Sequence, residues 1–67
     1  MKNNIRVERA ILDITQEELA QRIKVSRQSI HAVENGKYIP STILALKIAR
    51  VFNKTVDEIF QLEESDA

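Results

Sequence analysis

An all-α domain of five short helices is the fold class this sequence predicts, and three observations carry the prediction. Two capping boxes, Thr15 with Glu18 and Thr55 with Glu58, mark helix starts, since each pair satisfies one another's free backbone N–H groups. Apolar residues recur at helical spacing along most of the chain. Hydrophobic residues make up 43% and charged residues 30%, against one glycine and one proline, a balance of folded helical domains rather than disordered chains.

Each element follows in order. Asn4 is placed to cap a first helix over 4–12. Its apolar pattern holds two overlapping stripes, one through Ile5, Arg9 and Leu12 and one through Val7, Ala10, Ile11 and Ile14, so periodicity leaves its orientation open and one stripe available to a partner. Thr15 opens a second helix over 16–23. Ser26 caps a third over 27–35, which stops at Asn35-Gly36, where glycine accepts the left-handed conformation that closes a helix. Ser41, after the sole proline, caps a fourth over 42–52, whose wet stripe is expected to be narrow (Lys47, Arg50, Lys54) with the remainder buried. Asn53 offers a second left-handed stop, and Thr55 opens a fifth helix over 56–60. Residues 1–62 read as one domain and 63–67 as an acidic tail too polar and short to be held.

Sixty-seven residues leave no room for a second domain, and a core this small gains from a partner. The absence of cysteine removes disulfides, thiolate metal sites and cysteine nucleophiles, and suits a reducing cytoplasm. The longest nearly apolar run, 43–52, is broken by Lys47 and Arg50 and falls short of the roughly 20 residues a bilayer requires. His31 is the only histidine, and no nucleophile–base pair, metal-ligand cluster or glycine-rich phosphate loop accompanies it. Neither an enzyme, a metal nor a cofactor is expected.

Zero net charge conceals an asymmetry. Residues 1–37 carry seven Lys/Arg against five Asp/Glu, and residues 38–67 carry three against five. Arg22, Lys24, Arg27 and Lys37 cluster with a single acid, Glu34, so a polyanion is steered to that segment.

Within it, Lys24, Val25 and Ser26 are too few to let the flanking helices lie antiparallel, so these must cross steeply. Leu19, Ile23, Val25, Ile30 and Val33 point into the angle, with small Ala20 at the closest approach. The segments Thr15-Gln16-Glu17-Glu18-Leu19-Ala20, Val25-Ser26-Arg27-Gln28-Ser29-Ile30 and Glu34-Asn35-Gly36-Lys37 resemble the phage-repressor and Cro-like helix-turn-helix family, also called the XRE family. The resemblance continues through Pro40-Ser41, Leu44-Ala45-Leu46-Lys47-Ile48-Ala49 and Val56-Asp57-Glu58-Ile59-Phe60, and is nearest the compact stand-alone type. It departs at Lys24, where the family often has glycine, and at Glu8, where relatives often place leucine.

The resemblance implies a compact five-helix, lambda-repressor-like DNA-binding domain with its helix-turn-helix at the second and third helices. A short β-pair between 1–4 and 60–62 is implied beneath them. It also implies a sequence-specific regulator of transcription, acting as a repressor in the cytoplasm of a prokaryote or on behalf of a phage, associated with the nucleoid. The third helix would enter the major groove of double-stranded DNA while the second crosses the backbone.

The chemistry of the residues is compatible. Arg27 can bind guanine O6 and N7, and Gln28 adenine N6 and N7, each pair discriminating by roughly 1–3 kcal/mol. His31 and Ala32, one turn further on, share that outward face: the imidazole could donate to a base or phosphate and the methyl could rest on a thymine. Gln16, Ser26, Ser29, Asn35 and Lys37 are the candidate phosphate contacts, and Gln16 could also brace Arg27. Arg9 and Glu34 match the family's buried ion pair, a structural role. Val56, Ile59, Phe60 and Leu62 are more apolar surface than so small a domain should bury, which points to a homodimer reading a palindromic operator with recognition helices about 34 Å apart. The competing reading is a protein-interaction module on the same scaffold, an antitoxin-like or anti-regulator partner using Val7, Ile11 or the segment after Val56.

Overall fold

A computed structural model describes residues 1–66. Two-residue strands β1 (Lys2–Asn3) and β2 (Phe60–Gln61) bracket five helices: α1 (Ile5–Leu12), α2 (Gln16–Ile23), α3 (Arg27–Glu34), α4 (Thr42–Val51) and α5 (Val56–Ile59). A 3₁₀ turn over Glu64–Asp66 follows. The strands pair antiparallel, Lys2 opposite Gln61 and Asn3 opposite Phe60, so the implied terminal β-pair is present in two residues per strand.

Helix starts follow the sequence signals closely. Both capping boxes form: the Thr15 and Thr55 hydroxyls accept from the Glu18 and Glu58 N–H groups, and both carboxylates accept in return. Ser26 and Ser41 accept from Ser29 and Leu44 N–H. Asn4 is the exception. It stands at the cap position of α1 without a capping bond and donates instead to the Glu58 carbonyl, 3.1 Å away. The neighbouring Asn3 Oδ1 accepts from the Ile5 N–H at 3.2 Å in its place.

Helices α1 to α4 all end in one way. A left-handed residue, Asp13, Lys24, Gly36 or Asn53, lets two successive N–H groups fold back onto the last-turn carbonyls. After α2, for example, Val25 N–H reaches Ala20 O at 3.0 Å and Lys24 N–H reaches Gln21 O at 3.3 Å. Gly36 and Asn53 were legible as such stops. Lys24 adopts φ +59°, in the left-handed region, at a cost of roughly 1–2 kcal/mol.

Ile5, Leu19, Ile30, Ile48 and Ile59, each wholly buried, form the centre of the core. In α1 the inward face carries Ile5 and Glu8, with Arg9 half-buried, while Val7, Ala10 and Ile11 lie outside. Glu8 can be buried because Lys54 Nζ stands 2.8 Å from its carboxylate.

Three expectations are corrected. In α4 only the face through Leu44, Ala45, Ile48 and Ala49 is buried, and Ile43 and Leu46 are 68% and 56% exposed beside Lys47 and Arg50. A ten-residue helix packed against α2 and α5 covers one side, so the wet side is wide rather than a stripe. Ile59 and Phe60, expected at a subunit contact, are buried in the monomer's own core, because α5 and β2 fold back under α1 and β1. Of that set Val56 is half-buried and only Leu62, 82% exposed, stands free. The acidic tail is held in part: Glu63 and Asp66 lie 2.9 and 3.0 Å from the Met1 ammonium, and Ala67 lies outside the described residues.

Candidate nucleic-acid interface

The interface is set by the corner between α2 and α3. Leu19, Ala20 and Ile23 of α2 meet Ile30 and Val33 of α3 in the buried angle, and Val25 packs against this cluster from the turn. Burying four aliphatic side chains and one alanine at the crossing, with Val25 half-buried beside them, fixes the angle between the helices, each deeply buried aliphatic contributing roughly 1.5–3 kcal/mol.

The outward face of α3 is thereby determined. Arg27 and Gln28 occupy its first turn, both are exposed, and neither side chain has a hydrogen-bond or ion-pair partner among the described residues. His31 follows one turn later, also exposed, and its Nε2 lies 2.9 Å from Asn35 Nδ2. Ala32 is half-buried on the adjacent face. Three of the four expected base-reading residues, Arg27, Gln28 and His31, are thus exposed on α3, the first two of them unengaged, with Ala32 half-buried beside them.

The expected phosphate contacts behave less uniformly. Ser26 and Ser29 share a hydroxyl–hydroxyl bond of 2.9 Å at the start of α3 while Ser26 also caps it. Lys37, exposed just beyond Gly36, has no ion-pair partner among the described residues. Asn35 is bound to His31. Gln16 does not brace Arg27: its carboxamide turns inward and donates to Glu34 Oε2.

Behind this face lies the expected ion pair. Arg9 Nε stands 2.8 Å from Glu34 Oε1 and its Nη2 3.4 Å from Oε2, while Nη1 donates to the Ile14 carbonyl at 3.1 Å. The Glu34 side chain is 1% exposed. A bidentate guanidinium and a carboxamide on one buried carboxylate satisfy its lone pairs and tie α1, α2 and α3 at a single point.

Electrostatics reinforce the start of α2. The Thr15 backbone N–H, then its hydroxyl, hold the Glu18 carboxyl below the ordinary value of 4.5, with Arg22 adding a smaller pull.

Two contributors escaped sequence reading. Asn3 Nδ2 donates to the Val33 and Glu34 carbonyls at 3.0 and 3.3 Å, closing the far end of α3 from the N-terminal strand. Lys54 anchors α1 through Glu8. Both span 30 or more residues, and no local pattern announces them.

A family model described as helix-turn-helix matches residues 5–59. Among similar proteins, an uncharacterized HTH-type transcriptional regulator of Methanocaldococcus jannaschii is 47% identical over 98% of this chain and 100% of its own length. The uncharacterized HTH-type transcriptional regulator YgzD of Bacillus subtilis is 41% identical over 98% and 100%. The HTH-type transcriptional activator BcrR of Enterococcus faecalis is 38% identical over 78% of this chain, which spans 26% of that protein.

Proposed function

The chain belongs to the helix-turn-helix family, and from that premise we propose that it is a sequence-specific regulator of transcription that reads double-stranded DNA with α3. One observation carries the reading. Arg27 and Gln28 sit exposed and unpaired in the first turn of a helix whose back is locked to α1 and α2. Side chains of this kind, left without a role in the fold, are those that reach base edges when such a helix lies in a major groove.

Arg27, Gln28, His31 and Ala32 read bases in this proposal. Lys37, the Ser26 and Ser29 hydroxyls, and the free donors and acceptors of Gln16 and Asn35 set register on phosphates. The protein acts as a homodimer on a palindromic operator, and occupancy of promoter sequence makes repression its mode of action. Similarity to a protein named an activator makes the sign of regulation a separate measurement from the binding.

Selection of bound duplexes from a random pool, followed by sequencing, tests the proposal. Two inverted half-sites about one helical turn apart are the expected product. A pool that stays random, with Arg27→Glu retained on DNA as well as the parent, would sink it.

A second reading, a module that holds another protein, is favoured by one feature: Val7 and Ile11 stand exposed side by side on α1. It predicts that Arg27→Glu leaves every binding property unchanged.

A further inference from the structure

A cleft of about 550 Å³ opens between the end of α1, the start of α2 and the first residue of α3. Arg27 forms one wall, and Asp13 and Glu17 line the same cleft. We propose that these two carboxylates are positioning residues for Arg27, which keep phosphate out of the cleft and turn the guanidinium toward base edges. The inference rests on the DNA reading and concerns how that reading becomes selective.

Charge gives the first argument. Arg9 also lines the cleft, but the Glu34 carboxylate already neutralises it. What remains is one cation, Arg27, against the two acids, so the cleft is net acidic beside a residue assigned to read a polyanion. The fold gives neither acid a task. Asp13 is exposed, and its carboxylate has no hydrogen-bond or ion-pair partner among the described residues. Glu17, also exposed, has only a long contact of 3.5 Å from the Gln21 carboxamide. Its neighbour Glu18 differs, because that carboxylate turns back onto Thr15 to complete the capping box. Gln16, expected to brace Arg27, is committed to Glu34. Asp13 and Glu17 are therefore the charged acceptors left to aim the guanidinium.

An exposed arginine beside DNA has two destinations. A phosphate attracts it by charge alone and carries no sequence information, whereas guanine O6 and N7 engage only a correctly aimed fork. Carboxylates behind the guanidinium repel phosphate oxygens from the near side and accept from the N–H groups that do not face the bases. Arg27 thereby gives up some affinity and gains discrimination.

Binding to the selected operator and to a random duplex at one salt concentration, for the parent, Glu17→Gln and Asp13→Asn, tests the proposal. Both substitutions keep the size of the side chain, and asparagine accepts the left-handed backbone of position 13, where φ is +56°. Each variant should bind the random duplex more tightly and prefer the operator about tenfold less. A residue acting only through folding would lower both affinities together. In an Arg27→Ala background the same substitutions should reduce the preference no further. Should Glu17→Gln fail to fold, Asp13→Asn carries the comparison alone. Preference unchanged in the folded variants overturns the proposal, and so does an equal loss of preference with Arg27 absent. The DNA reading is judged on the parent: a parent that selects no operator removes both, while variants that match a selective parent strike this inference alone.

Discussion

Gln16 donates its carboxamide to Glu34, so the residue that opens α2 and the residue that closes α3 share one carboxylate. Arg9 grips the same carboxylate from α1. The angle of the recognition corner is therefore fixed twice, by apolar side chains inside it and by one buried anion behind it.

Removing either charge of that pair should be costly. Arg9→Leu or Glu34→Leu strands its partner in a buried site and should cost roughly 3–5 kcal/mol in urea denaturation. Replacing both together should recover most of the loss, and Gln16→Ala should cost less than either single change, since the guanidinium remains. Equal losses in the single and double variants would show that packing, rather than the stranded charge, dominates.

Ile59 and Leu62 should separate cleanly in stability. Ile59→Ala opens a cavity in the core and should cost roughly 2–5 kcal/mol, whereas Leu62→Ala should stay within about 0.5 kcal/mol. Thermal denaturation of the two variants at equal concentration is the measurement, and a reversed order would contradict the burial described here.

The helix starts at Thr15, Ser26, Ser41 and Thr55 and the stops at Gly36 and Asn53 were legible because each is a local signal, and the helix-turn-helix core was legible because its apolar spacing repeats along one short stretch. Residues joined across the chain were not. Asn3 reaches Val33, Lys54 reaches Glu8, and Ile59 is drawn into the core by a strand pairing that periodicity in a four-residue helix cannot encode. Helix α4 misled for a related reason: a run rich in Ile, Leu and Ala reads as buried on all but the narrow stripe of its charged residues unless the size of the domain that must cover it is known. In the candidate interface the identity of the α3 face was readable, but the inward turn of Gln16 depends on where Glu34 ends up and was not.

Gln28 and Lys37 should fail differently. Gln28→Ala should relax preference at one base pair per half-site, by roughly 1–3 kcal/mol, while Lys37→Ala should weaken all sequences alike and reduce the salt slope by about one. An operator library scored with both variants distinguishes them, and identical profiles would refute the assigned roles.

Salt should weaken binding steeply. A dimer neutralising roughly 6–10 phosphates loses about 10³- to 10⁵-fold in affinity between about 50 and 200 mM salt. A nearly flat titration would place the interaction somewhere other than the phosphate backbone.

Acid should loosen the two capped helices together. Thr15 and Thr55 hold Glu18 and Glu58 below the ordinary 4.5, so the folded state binds these protons less readily than the unfolded chain. The stabilisation is complete above about 4.5 and is lost as pH falls through the lower folded values. Glu18→Gln and Glu58→Gln, which remove the titrating carboxyls, should flatten that part of the curve of melting temperature against pH. Variants that keep the parent's slope below pH 4.5 would show that other carboxylates are responsible.

Arg27 and Gln28 hold nothing else in place among the described residues, and in the proposed reading that independence reaches beyond a single operator. Exchanging either of them leaves the buried scaffold untouched, so a lineage can drift toward new binding sequences without passing through unstable intermediates. The same freedom makes this corner a short route to retargeting by design.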